Sequence, residues 1–176
     1  MTVITAKDFI DSIADSLQYI SFFHPPDFVR AMARAYEREE SEAARSAIAQ
    51  ILANSRMAAE GHRPICQDTG IVVVFLKIGM EVRFDSRLPL QDLVDEGVRQ
   101  AWTHPDNPLR ASVVAPAYGA RRNTTDNTPA VVHTELVAGN RLDVIVAAKG
   151  GGSENKARFA ILNPSDDLAA WVTDML

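Results

Sequence analysis

Along the first 60 residues apolar side chains return every three or four positions; beyond them the period shortens to that of strands. Phe9, Ile10, Ile13, Leu17 and Ile20 share one face of a helix over residues 5–20. Thr5 and Asp8 have the spacing of a capping box, with Asp in place of the usual Glu. Pro25-Pro26-Asp27 interrupts and restarts the chain. Residues 27–39 and 42–60, rich in Ala, Glu and Arg, read as two more helices, separate or continuous through Ser41, and Gly61 stops the second. Ile71-Val72-Val73-Val74-Phe75-Leu76 is an unbroken apolar run, the pattern of a strand covered on both faces. Met80, Val82 and Phe84 alternate with polar residues, as in a half-buried strand. Pro89 opens a helix with Leu90, Leu93, Val94, Val98, Ala101 and Trp102 on one stripe. Residues 104–129 have no clear period and read as a long loop, of the kind that often carries function. Ala130–Leu136 and Leu142–Ala148 are strand-like and, joined around Ala138-Gly139-Asn140, read as a hairpin. Asn163-Pro164-Ser165-Asp166 opens a last helix containing Leu168, Trp171, Val172 and Leu176.

These elements predict an α/β fold. A helical N-terminal region, residues 1–60, packs with a mixed β-sheet of roughly four to six strands within residues 61–176. The two parts are expected to form one compact domain. The last helix ends on its apolar stripe without a C-cap, so that domain reads as cut short at its C-terminus.

Composition narrows the function classes. A hydrophobic share of 47% describes an ordinary soluble globular protein. With a net charge of -5 and basic residues scattered apart from Arg121-Arg122, a nucleic-acid partner is not expected. No run approaches the roughly 18 apolar residues of a membrane helix, and the start of the chain has no secretion signal. The single cysteine cannot form an internal disulfide, which fits a reducing, cytoplasmic location.

Three polar segments beside the strands carry the candidate chemistry. In Cys66-Gln67-Asp68-Thr69-Gly70 the cysteine sits at a loop edge, where a thiolate can ligate iron or attack an electrophile, or simply fill space as a small residue. No Cys/His hydrolase arrangement supports it, because His62 lies beyond a proline and His133 lies in a strand. Asn123-Thr124-Thr125-Asp126-Asn127-Thr128-Pro129 reads equally as a turn stitched by side-chain hydrogen bonds and as part of a site. Arg110, Arg121 and Arg122, in and before that loop, could each hold a carboxylate in a bidentate fork. In Lys149-Gly150-Gly151-Gly152-Ser153-Glu154-Asn155-Lys156 three glycines let the backbone approach a ligand and aim N–H groups at an anion. The spacing matches neither a P-loop nor a dinucleotide fingerprint.

Taken together and in this order, CQDTG, NTTDNTPAVVH and KGGGSENK resemble the α part of class I fumarases and L(+)-tartrate dehydratases, and the resemblance covers roughly residues 5–176. It implies a [4Fe–4S] cluster held by three cysteines, with one iron left open as a Lewis acid for a 2-hydroxy acid. Cys66 matches the first ligand; the other two, and the catalytic base, would lie beyond residue 176. By the same likeness Gln67 and Asp68 line the substrate site, Arg110 binds a substrate carboxylate, and Gly150, Gly151 and Gly152 approach it through backbone N–H groups. Lys149, Ser153, Asn155 and Lys156 belong to the motif without an assigned role. Thr125 departs from the pattern, standing where the family has glycine, so the turn there must tolerate a side chain.

The resemblance implies a hydro-lyase component acting on a small dicarboxylic acid, fumarate/malate or tartrate. It would be inactive alone and completed by a C-terminal part or a β subunit. The alternative is a cluster-free relative that binds carboxylates or other anions. Two structural expectations follow: Cys66, Gln67, Asp68, Arg110 and Gly150–Gly152 converge on one concave surface, and the chain self-associates as a homo-oligomer.

Overall fold

The computed structural model describes residues 1–116, 118–151 and 158–175. It is α/β, with helices packed on a mixed sheet. The chain opens with a strand the sequence pattern did not reveal, β1 (Thr2–Thr5), which pairs in parallel with β3 (Val82–Asp85). Four residues are too short for an alternating signal to stand out. Helix α1 (Ala6–Phe22) starts at the expected cap, where the Thr5 hydroxyl accepts the Asp8 amide at 3.1 Å. Helices α2 (Pro26–Arg38) and α3 (Glu42–Gly61) are separate: Ser41 caps α3, and its amide donates to the Glu39 carboxylate at 2.9 Å. Gly61 is not the stop but the last helical residue; His62 takes the left-handed turn at φ 47°.

The central sheet has three strands in the order β6–β2–β7, from β2 (Ile71–Gly79), β6 (Val131–Val137) and β7 (Leu142–Lys149). Strand β6 runs parallel to β2 and β7 antiparallel to it, so β6 and β7 flank β2 and do not form the expected hairpin. The link between them crosses the end of β2, where the amides of Gly79, Met80 and Glu81 donate to the carbonyls of Arg141, Val137 and Gly139. A Cβ at Gly79 would stand 2.4 Å from the Gly139 carbonyl oxygen, so the crossing requires glycine. The remaining strands form two-stranded sheets, β1–β3 and a pair within the long loop, β4 (Val114–Ala115) with β5 (Arg122–Asn123). The single sheet of four to six strands is therefore replaced by three smaller ones.

One core fills the space between sheet and helices. Phe9, Ile13 and Leu17 of α1 meet Leu93, Val94, Val98 and Trp102 of α4 (Leu90–Trp102) and Val72, Val74 and Leu76 of β2. Phe9 and Phe84 pack edge to face at 5.3 Å, joining the small sheet to α1. Each such side chain contributes about 1.5–3 kcal/mol on full burial. The other row of the central sheet is open, contrary to the expectation of cover on both faces: Phe75 is 45% and Ile145 61% exposed. The N-terminal helices are unequal as well. Helix α1 carries the packing, while α2 buries no residue. The last helix, α5 (Leu168–Met175), starts later than expected, with the Asp167 carboxylate accepting the Ala169 and Ala170 amides, and it buries no side chain. Leu176 lies outside the described residues.

Candidate functional site

Strand order brings the three motifs to one end of the central sheet. Cys66–Gly70 leads into β2, Asn123–Pro129 leads toward β6, which runs parallel to β2, and β7 runs antiparallel and ends at Lys149, paired with Ile71. The approach to Cys66 is fixed from two helices. The Ile65 amide donates to the Ser21 carbonyl at 2.8 Å, and Asn54 Nδ2 donates to the Ile65 carbonyl at 3.0 Å.

The turn then closes on itself around the sulfur. The Asp68 amide points at Cys66 Sγ at 3.4 Å, and the thiol faces Gln67 Oε1 at 3.5 Å. Cys66 is exposed. It borders a cavity of about 140 Å³, lined also by Ile65, Asp68, Thr69, Trp102 and Ala148. Gly70, at φ 77°, lies flat on the end of β7: a Cβ there would sit 2.2 Å from the Lys149 carbonyl. Next to it, a Cβ on Gly150 would come within 3.0 Å of the Asp68 carboxylate. At Gly70 only glycine permits this closeness to backbone, whereas a Cβ on Gly150 would need the Asp68 side chain to give way by a few tenths of an ångström.

Arg110 reaches the same place through its backbone. Its carbonyl accepts the Thr69 hydroxyl and, at 3.4 Å, the indole N–H of the buried Trp102, which also donates to Thr69 Oγ1 at 3.2 Å. The segment before it is anchored to α1, where Gln18 and Asn107 exchange hydrogen bonds, Asn107 Nδ2 donating to Gln18 Oε1 at 2.9 Å. The Arg110 side chain is exposed.

The polar loop is a lattice of short-range bonds. Asn123 Oδ1 accepts the Thr125 amide at 2.8 Å, and Asp126 accepts the Thr128 amide and hydroxyl at 3.1 and 2.8 Å. Asp126 also takes a hydrogen bond from Arg99 Nε at 3.0 Å, and Arg99 in turn pairs with Glu96. Burial works to raise the Asp126 pKa, but Thr128 and the Arg99 guanidinium outweigh it and hold the carboxylate below its ordinary value. Thr125 adopts φ 69°, a left-handed conformation natural to glycine, which accounts for the glycine expected there.

Asn127, which carries no separate role in the sequence pattern, is the completely buried member of this loop. It has no exposed surface, and its Oδ1 accepts the Ser112 and Val113 amides at 3.0 and 3.2 Å while its Nδ2 donates to the Gly70 carbonyl at 2.8 Å. The signal available in sequence was weak: asparagine before Thr-Pro tolerates positive φ, here 64°, but so do many turn asparagines.

The geometry thus brings together Cys66, Gln67, Asp68, the backbone of Arg110, and Gly150. Gly151 follows, with no described residue within 4 Å of where its Cβ would be. Gly152, and with it Ser153, Glu154, Asn155 and Lys156, lies outside the described residues. Arg121 and Arg122 are exposed at the β4–β5 pair. Among the described residues no group of three or more His, Cys, Asp or Glu side chains could hold a metal ion, and no helix is long and apolar enough to cross a membrane.

A family profile described as fumarate hydratase (fumerase) matches residues 10–176. The chain belongs to that family. Within the fumarate hydratase family, it is 30% identical over 161 residues to a Methanocaldococcus jannaschii protein provisionally named L(+)-tartrate dehydratase subunit alpha, covering 90% of this chain and 56% of the relative. It is 27% identical over 156 residues to the L(+)-tartrate dehydratase subunit alpha of Escherichia coli K12, covering 88% and 50%. It is 32% identical over 121 residues to the anaerobic class I fumarate hydratase of the same strain, covering 69% and 22%. The chain spans about half the length of the tartrate dehydratase subunits it matches.

Proposed function

We propose that this chain is the substrate-carboxylate-binding part of a hydro-lyase that adds or removes water at a small dicarboxylic acid, fumarate/malate or tartrate. The observation that carries the reading is the packing of Gly70 and Asp68 on Lys149-Gly150 in a chain of the fumarate hydratase family. That packing sets an exposed thiol beside a glycine loop. In this reading Arg110 grips one substrate carboxylate as a planar fork. The Gly150 and Gly151 amides stabilise charge that develops there as the proton on the neighbouring carbon is lost. Gln67 and Asp68 line the space between and orient the substrate hydroxyl. The catalytic base lies outside this chain.

The family likeness also implies a [4Fe–4S] cluster. A cluster, when bound, supplies Lewis-acid polarisation of the substrate oxygens. The donor set here fits it only in part: Cys66 is an exposed thiol in position to be one ligand, and it is the single cysteine of the sequence. The remaining ligands come from a further part of the enzyme or from a β subunit, a partner consistent with relatives named as α subunits. A cytoplasmic location and a homo-oligomeric state belong to the same proposal.

The incomplete donor set favours a second reading, a cluster-free carboxylate-binding module. Anaerobic treatment with iron and sulfide, followed by iron analysis and a fumarate hydration assay, separates the possibilities. The pure chain is expected to show Cys66-dependent iron uptake below one full cluster and no turnover above a Cys66→Ala control. Turnover by the chain alone contradicts the placement of ligands and base elsewhere. Iron uptake equal in Cys66→Ala leaves the cluster-free module.

A further inference from the structure

Asn127 ties together two segments that the proposed site needs and that lie more than 40 residues apart. Its Nδ2 holds the carbonyl of Gly70, the residue that closes the Cys66–Asp68 turn. Its Oδ1 holds the amides of Ser112 and Val113, just after Arg110. A side-chain amide is the group of this length that offers an acceptor and a donor together. An ionised carboxylate could keep the two amides but would face the Gly70 carbonyl with a second acceptor. The bonds form in full burial, where a partner left unsatisfied is costly. Trp102 bridges the same two segments, donating to Thr69 and to the Arg110 carbonyl.

We infer that Asn127 is a positioning residue of the site: it sets the Cys66–Gly70 turn against the Arg110–Val113 segment, so that thiol and guanidinium face one dicarboxylate. The inference rests on the dicarboxylate reading above for its ligand, and on the hydrogen bonds alone for its coupling. A purely structural asparagine would alter stability and leave the folded molecules with an unchanged site.

The test uses the full chain with Asn127→Asp, close in shape, and Asn127→Gly, which suits the positive φ. Folding is verified by circular dichroism and urea unfolding. The first readout is the indole N–H resonance of Trp102, with that of Trp171 as internal reference. The second is the affinity for L-malate, read from amide shifts.

Both variants are expected to move the Trp102 resonance, leave that of Trp171 in place, and weaken malate binding roughly tenfold or more. Asn127→Asp should recover the wild-type Trp102 signal as acid protonates the new carboxyl, which then donates to Gly70. An unmoved Trp102 resonance in a folded variant overturns the positioning role, as does unchanged malate affinity. If the wild-type chain itself fails to bind malate, the dicarboxylate reading falls. The Trp102 resonance then decides the coupling by itself.

Discussion

Thr125→Gly should stabilise this protein, although it removes a side chain and a hydrogen bond. Thr125 sits at φ 69°, where the Cβ of an L-residue costs roughly 1–2 kcal/mol and β-branching adds to the crowding. Its amide bond to Asn123 Oδ1, at 2.8 Å, is a backbone interaction that glycine keeps. Its hydroxyl donates to the neighbouring Thr124 carbonyl at an exposed position, where water replaces it at little cost. Against the gain stands the greater freedom of glycine in the unfolded chain, about 0.4–1 kcal/mol. The net is a stabilisation of about 0.5–1 kcal/mol. With a urea slope on the order of 2 kcal/mol/M, the unfolding midpoint should rise by roughly 0.25–0.5 M at unchanged slope. Thr125→Ala, which keeps a Cβ and loses the hydroxyl, should not raise it. A lower midpoint for Thr125→Gly, or an equal rise for Thr125→Ala, would refute the strain argument.

Glycine contacts give a graded series measurable by thermal unfolding. Gly70→Ala drives a Cβ to 2.2 Å from the Lys149 carbonyl and should cost roughly 3 kcal/mol or more, whereas Gly151→Ala meets no described residue within 4 Å and should stay within about 0.5 kcal/mol. For Asp126 the folded pKa lies below the ordinary value of 3.8, so its contribution is complete above that pH and is lost as pH falls through the folded value. The stability gap between wild type and Asp126→Asn should accordingly narrow on acidification below about pH 4, and a gap that widens there would be inconsistent. The open row of the central sheet, with Phe75 and Ile145 exposed, should drive self-association. Light scattering at micromolar concentration should find oligomers that Phe75→Asp reduces; a wild-type monomer rejects this.

Elements defined by their own periodicity were legible in sequence. The Thr5 cap, the stripe from Leu90 to Trp102 on α4 and the apolar run of β2 all stand where the pattern puts them. What escaped depends on tertiary pairing. Strand β1 is marked only by β3 beside it. The strands around Ala138–Asn140 carry a hairpin pattern, yet β2 lies between them because Gly79 lets the link pass over its end. The apolar run of β2 promised two covered faces, and only the row of Val72, Val74 and Leu76 is buried here. For the site, the motifs named the segments, while the residue joining them, Asn127, is distinguished by burial that no local pattern encodes.

In the proposed function, the turn at Cys66, the segment after Arg110 and the loop at Gly150 form one dicarboxylate site. Mapping L-malate or tartrate onto the amide resonances of the isotopically labelled chain tests it most directly. An incomplete site should bind with a dissociation constant on the order of 1 mM. Saturable shifts are expected, confined to residues 66–70, 110–113 and 148–151 and abolished by Arg110→Ala. Shifts absent at saturating dicarboxylate, or located instead on the exposed surface of α2 and α3, would contradict it.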